Sequence, residues 1–151
     1  MKIDRQVTSS FQLIATQIVS VRLSNSFLQM SEKTETKTSC EYETEVFDFS
    51  KTATGAVNLT VSVEITNPEN EQEHLNLDIE VAGGFLDPAP VNEEKFVSML
   101  EINGCAALYA FARAQISNLI SQSVMSSSYV LPLTNIYRLK ERKEQEAESK
   151  E

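Results

Sequence analysis

Apolar and polar residues alternate through the first half of the chain and then switch to helical spacing, and this switch sets the expected order of elements. From Phe11 to Leu23 the odd positions read Phe11, Leu13, Ala15, Gln17, Val19, Val21 and Leu23. Their neighbours are mostly polar, the period-two signature of a half-buried strand. Ile14 and Ile18 break that rule, so this strand is expected to meet apolar matter on both faces, as a local core contact or as a subunit interface. From Thr34 to Thr44 a weaker, more solvent-facing strand puts Cys40 and Tyr42 on a threonine-rich side, with Glu and Lys at most positions between. The phase changes around Val46, Phe47 and Phe49, which predicts a bulge or the strand's end. Ala53-Thr54-Gly55 reads as the following turn.

Two clean rows come next. Val57, Leu59, Val61, Val63 and Ile65 face one way and Asn58, Thr60, Ser62 and Glu64 the other. After a turn at Asn67-Pro68-Glu69-Asn70, Leu75, Leu77, Ile79 and Val81 form the second row, opposite His74, Asn76, Asp78 and Glu80. An antiparallel pair with one wet face accounts for both. Gly83-Gly84 is expected to end this strand. Phe85 to Pro90 is expected to be irregular, because proline fixes φ and lacks a backbone donor.

Asn92 is placed to cap a short helix, with Glu93 and Glu94 at its positive end and Phe96, Met99 and Leu100 on its apolar side. Asn103-Gly104 is expected to stop it. A second helix is predicted from about Cys105 to Gln122, where Leu108, Phe111, Ala112, Ile116, Leu119 and Ile120 form one stripe. Ala106, Ala107, Ala110 and Ala114 keep its other sides slim. A serine-rich loop, Ser121 to Ser128, leads to Val130-Leu131-Pro132-Leu133. Thr134 is expected to cap a last helix containing Ile136, Tyr137 and Leu139. Lys140 to Glu151 carries no apolar stripe and is expected to fray. The expected fold class is therefore α+β, a four-stranded antiparallel sheet followed by C-terminal helices. It forms one domain over residues 1–151, with 1–10 and 140–151 flexible.

Composition narrows the function. At 151 residues and 41% hydrophobic content the chain can bury a single core. Cys40 and Cys105 are too few and too far apart for a secreted disulfide framework, and read as small buried hydrophobes. Met1 to Ser10 is polar, without the apolar core of a signal peptide, and no run reaches membrane-spanning length. Cytoplasm is the expected location, without membrane insertion. The net charge of −9 is concentrated between Glu32 and Glu94, where 15 acids face 3 lysines. Such a body does not suit nucleic acid, which needs clustered Lys and Arg.

Catalysis is not expected either. His74 stands on an outward row, where it reads as an exposed, non-catalytic imidazole. Glu41, Glu43 and Glu45 repeat on one strand face as a solvated row, without partners to separate them into acid and base. There is no nucleophile elbow, phosphate loop or zinc motif, so no cofactor and no metal are expected. Asn58-Leu59-Thr60 matches a glycosylation sequon by chance.

Several segments, in order, resemble the SecB family of protein-export chaperones. They are Phe11-Gln12-Leu13, the strand from Leu75 to Val81 leading into Gly83-Gly84-Phe85, the helix sequence from Leu108 to Ser121, and Val130-Leu131-Pro132-Leu133-Thr134-Asn135-Ile136-Tyr137. The match runs from Phe11 to about Leu139. The resemblance implies a SecB-like homotetramer, a dimer of dimers with its long helices between two sheets. It also implies an ATP-independent holdase for unfolded polypeptides or preproteins, with Phe27, Phe47, Phe85, Leu86, Leu131, Leu133, Ile136 and Tyr137 as candidate client-binding residues. Acidic residues on the family's first strand help engage the SecA motor. The matching positions here are Ser20 and Ser24, although Asp78 keeps an acid on the later strand as a candidate motor-binding residue. The tail from Arg138 to Glu151 does not resemble the tail that contacts the motor. Some SecB-like proteins instead protect an antitoxin, and that is the alternative role the resemblance implies.

Overall fold

The computed structural model describes residues 10–124 and 131–150. The expectations for residues 1–9, for Met125 to Ser128 of the serine-rich loop and for Val130 lie outside the described residues. Four strands, β1 (Gln12–Asn25), β2 (Glu35–Phe49), β3 (Ala53–Asn67) and β4 (Asn70–Asp87), form one antiparallel sheet in the order β1-β4-β3-β2. The two central strands carry the clean rows. Leu59 pairs with Val81, Val61 with Ile79, Val63 with Leu77 and Ile65 with Leu75, and all eight side chains are buried. Burying each contributes roughly 1.5–3 kcal/mol. β1 and β2 are consecutive in sequence yet lie at opposite edges, so the chain between them crosses the end of the sheet.

Glycines account for two corrections. Ala53-Thr54-Gly55 is not a turn: β3 begins at Ala53, and the reversal falls just before it, where Ser50 N donates to Thr52 O. A Cβ on Gly55 would stand 2.6 Å from the Glu45 carbonyl oxygen. Gly83-Gly84 does not end β4, which continues through Phe85 and Leu86 to Asp87 and leaves only Pro88 to Pro90 of the expected irregular stretch. A Cβ on Gly83 would lie 2.7 Å from Leu108 Cδ2. Both glycines mark where other parts of the molecule press on a continuing strand.

Asn92 caps α1 (Glu93–Met99) as expected, its Oδ1 accepting from Lys95 N at 2.7 Å. Asn103-Gly104 does not stop the helical run. A π-helical turn, Leu100–Gly104, carries it into α2 (Cys105–Ser123), and Gly104 keeps right-handed dihedrals. A Cβ there would stand 2.9 Å from Val57 Cγ2, so this glycine serves close helix–sheet approach. Leu108, Ala112, Ile116 and Ile120 of α2 are buried, and the helix packs chiefly on β3 and β4.

α3 (Ile136–Glu148) is capped by Asn135 rather than Thr134, with Asn135 Oδ1 accepting from Arg138 N at 3.2 Å. The helix runs on past Lys140 to Glu148. Polar contacts replace the missing stripe: Lys140 Nζ lies 2.9 Å from Glu101 Oε2, Lys143 sits over Tyr42, and Arg142 pairs with Glu146 at i,i+4 spacing.

Candidate functional site

β1 departs from the single alternation its sequence suggests, because two bulges reset its phase. Register shifts fall between Leu13 and Ala15 and between Ile18 and Ser20. Leu13, Thr16, Ile18, Val21 and Leu23 therefore lie opposite the inward β4 residues Phe85, Gly83, Val81, Ile79 and Leu77, on the same face of the sheet. This is why Ile14 and Ile18 break the odd-position rule: Ile18 belongs to the inward row, and Ile14 is an inserted residue. No helix among the described residues seals that row. Every residue of β1 is exposed, Leu13, Ile18, Val21 and Leu23 at 40–45%, and the outer edge of the strand has no pairing partner among the described residues. An apolar edge this long is a template for another chain.

The most exposed apolar side chains of the sheet region sit at backbone irregularities. Ile14 and Val19 are the inserted residues of β1, and Phe47 is skipped in the β2 register, where Val46 pairs with Gly55 and Asp48 with Thr54. The phase change read around Phe47 is thus a bulge, and its ring is 61% exposed. Bulges re-aim side chains that a regular strand would tuck away. Phe27, in the loop that crosses from β1 to β2, is 92% exposed and has a positive φ of 52°.

The eight candidate residues divide. Phe27, Phe47, Leu133 and Tyr137 are exposed and Leu86 is half-buried. Phe85, Leu131 and Ile136 are buried in the protomer, which corrects their place on an open surface. Phe85 falls on the inward row once β4 is continuous, and its ring stacks on Phe11 with centroids 5.1 Å apart. Leu131 is pressed into the core by its own backbone: Arg113 Nε donates to Leu131 O, and Tyr109 Oη donates to Pro132 O. The same staple leaves Leu133 at 81% exposure. Ile136 opens α3 and joins the core cluster. Of the other exposed apolar residues, Ile14 is the one the broken alternation marks, while Val19 and Val91 carry no signal in the sequence.

At the far edge of the sheet, α3 and β2 enclose a groove of about 450 Å3 lined by Cys40, Tyr42, Leu139, Arg142, Lys143 and Glu146, among others. Burial pushes the Cys40 thiol up to about 12, with the Glu41 carboxylate adding to the shift. Burial likewise pushes Cys105 to about 12. Both thiols are therefore protonated at neutral pH and poor nucleophiles. Among the described residues, no group of three His, Cys, Asp or Glu side chains is placed to hold a metal ion. Nor is any helix there long and apolar enough to cross a membrane.

The outer face of the sheet is polar. Asp78 is half-buried opposite Ser62 and Arg22, beside a shallow depression that also includes Lys37 and Glu64. Glu80 accepts from Asn58 Nδ2 at 2.6 Å and from Ser20 Oγ at 3.4 Å, so Ser20 is tied to an acid without being one. His74 is half-buried rather than free in solvent, its Nε2 lying 3.3 Å from Ser26 Oγ at the root of the crossing loop.

No family model matches the chain, and no curated protein matches it by sequence. Among solved structures, it is similar to the SecB-like chaperone Rv1957 of Mycobacterium tuberculosis in complex with a ChAD peptide from the HigA1 antitoxin. The TM-score is 0.61 at 17% identity, over 83% of this chain and 91% of that one. The fold is SecB-like: an open four-stranded antiparallel sheet followed by C-terminal helices.

Proposed function

We propose that this protein is a holdase chaperone that binds unfolded preproteins without nucleotide and keeps them competent for export. The observation that carries this reading is the set of exposed apolar side chains away from β1 on a SecB-like body, Phe27, Phe47, Leu133 and Tyr137. Large apolar side chains held out into solvent suit contact with unfolded polypeptide. Separated weak contacts on one client gain from linkage, roughly 10²–10⁴-fold over a single contact. The open edge and uncovered row of β1, with the slim alanine side of α2, suit a second copy of the chain, and a homotetramer built as a dimer of dimers follows from the family's pattern. Asp78 is the residue assigned to any contact with the SecA motor.

The test is aggregation of a chemically denatured secretory precursor diluted into buffer with and without the protein. Suppression at stoichiometric tetramer in the absence of ATP supports the holdase. Unchanged light scattering at tetramer excess sinks it.

A second reading, a chaperone dedicated to an antitoxin, is favoured by the ChAD peptide bound in the similar structure and by Ser20 and Ser24 at the positions of the motor-engaging acids. Co-purification that recovers an antitoxin and no motor supports this second reading. Recovery of the motor alone counts against it.

A further inference from the structure

The two edges of the sheet are treated differently. β1 is exposed throughout, whereas the middle of β2, at the opposite edge, is covered: Cys40 and Thr44 are half-buried and Tyr42 is 4% exposed. The direction of the β2 main chain follows from two contacts. Glu45 O would stand 2.6 Å from a Cβ on Gly55, so it points at β3. Backbone groups alternate in direction along a strand, and no bulge falls between Thr38 and Glu45. The main-chain groups of Thr38, Cys40, Tyr42 and Thr44 therefore point away from β3, to the side where no strand lies among the described residues. Lys143 Nζ donates to one of them, the Tyr42 carbonyl. On that side α3 closes over the edge. It is held by this bond, by the Lys143 contact with the Tyr42 ring and by the Lys140–Glu101 pair.

The charges of the same strand point to what is being kept away. Glu41, Glu43 and Glu45 stand on the face opposite Cys40, Tyr42 and Thr44 and are exposed or half-exposed. If β2 paired antiparallel with β2 of a second copy about Tyr42, Glu41 of each copy would face Glu43 of the other. Like charges directly opposite one another are unfavourable. Such a row discriminates little against an arbitrary polypeptide, but it repels its own copy at every such pair. We propose that α3 is an edge guard that keeps β2 from pairing with β2 of a second copy, with Lys140 and Lys143 as its latch. Were both edges free, copies would add at β1 and at β2 in turn, and the sheet would grow without closing. The glutamates protect one face of the strand, and the helix protects its backbone and the other face. The guard acts whether or not the protein holds clients.

The test uses the full chain with Lys140→Glu and Lys143→Glu together, which removes both latch contacts and sets carboxylates beside Glu101 and Glu41. Amide hydrogen exchange over residues 137–148 is expected to speed up about tenfold or more. In about 0.5 M NaCl, where the glutamate row is screened, the mass by light scattering is expected to double at least and to rise with concentration. In low salt the increase should be smaller. Adding Thr38→Pro or Thr44→Pro is expected to return the mass to that of wild type. Proline removes an outward N–H that a new strand would need and leaves the β2–β3 ladder intact. Unchanged exchange would overturn the latch. Faster exchange with wild-type mass in high salt would overturn the second copy as the chain that α3 excludes. Growth that neither proline reverses would be apolar aggregation and would overturn it equally. Each proline alone should keep the wild-type circular dichroism, and loss of the strand signal in both would overturn the outward direction of those backbone groups.

Discussion

The ammonium of Lys143 stands 4.1 Å from the centroid of the Tyr42 ring and donates to the carbonyl of the same residue. One lysine of α3 thus grips a tyrosine of the edge strand β2 twice, by cation–π attraction and by a hydrogen bond to the backbone. Next to it, Lys140 bridges Glu101 and Glu144 at 2.9 and 3.8 Å. These contacts, with Leu139 packed partly against the core, keep α3 on the body.

Replacing Lys143 by Met keeps the stem and removes the charge. Because the side chain is exposed, the cation–π contact is worth about 0.5–1 kcal/mol and the hydrogen bond a similar amount. Urea unfolding of Lys143→Met is expected to show a loss of about 1 kcal/mol. Tyr42→Phe should behave oppositely. The Tyr42 hydroxyl is buried without a hydrogen-bond partner among the described residues, and burial, with the Glu101 carboxylate next, holds its pKa well above the ordinary value. Deleting that orphaned hydroxyl while keeping the ring should be neutral or stabilising by up to about 1 kcal/mol. A clear loss for Tyr42→Phe would show that the hydroxyl is satisfied, by water for example.

The three glycines at close approaches predict a graded series. At Gly83 an added Cβ meets a leucine methyl at 2.7 Å, at Gly104 a valine methyl at 2.9 Å, and at Gly55 a backbone carbonyl oxygen at 2.6 Å. Side chains can rotate away and a strand carbonyl cannot. Gly55→Ala should therefore destabilise most, by about 3 kcal/mol, and Gly83→Ala and Gly104→Ala by about 1–2 kcal/mol. Gly84→Ala is the control, since its added methyl would be 3.5 Å from the nearest atom and should be accepted. Thermal midpoints of the four variants check the order.

The same glycines show where the sequence could be read and where it could not. The β3–β4 rows, the turn at Asn67–Asn70, the Asn92 cap and the α2 stripe were legible because period and cap chemistry are local. Gly55, Gly83 and Gly104 look like local punctuation in the sequence, yet they answer to Glu45 across the β2–β3 hairpin and to Leu108 and Val57, distant in sequence. β1 misled in phase because two inserted residues are invisible to a fixed period. The surface divided for a similar reason. Phe85 and Leu131 are hydrophobic in the same way as Phe47 and Leu133, and only register and the Tyr109 and Arg113 staples decide which of them turn inward.

Alkaline pH should weaken the fold. The thiols of Cys40 and Cys105 rise from 9.0 to about 12 on folding, because burial disfavours the thiolate. Between those values the unfolded chain has released protons that the folded chain retains, so stability falls as pH rises. Tyr109, raised chiefly by burial, and Lys140, raised chiefly by its hydrogen bond to Glu101, act in the same direction at higher pH. The urea midpoint should decline from about pH 9 upward. In a Cys40→Ser, Cys105→Ser variant the decline should begin later, where Tyr and Lys titrate. A thiol reagent at about pH 8 should react slowly with the native protein and rapidly in urea. Fast labelling of both cysteines without denaturant would contradict the burial.

The proposed pairing along β1 makes a prediction that separates assembly from client holding. Val19 is an inserted, half-exposed residue on an unpaired edge, so Val19→Lys should leave the protomer folded by circular dichroism. A lysine on such an edge blocks strand-to-strand association, which is how natural proteins guard exposed edges. Light scattering should then report a smaller assembly than wild type. Phe47 is equally an inserted, exposed residue, but it lies on β2 at the opposite edge of the sheet. Phe47→Lys should keep the wild-type mass and weaken suppression of client aggregation. If Val19→Lys leaves the mass unchanged, the second copy does not sit on β1. If Phe47→Lys lowers it instead, the two edges have exchanged roles, and the apolar groups near β2 would belong to the interface between copies rather than to the client.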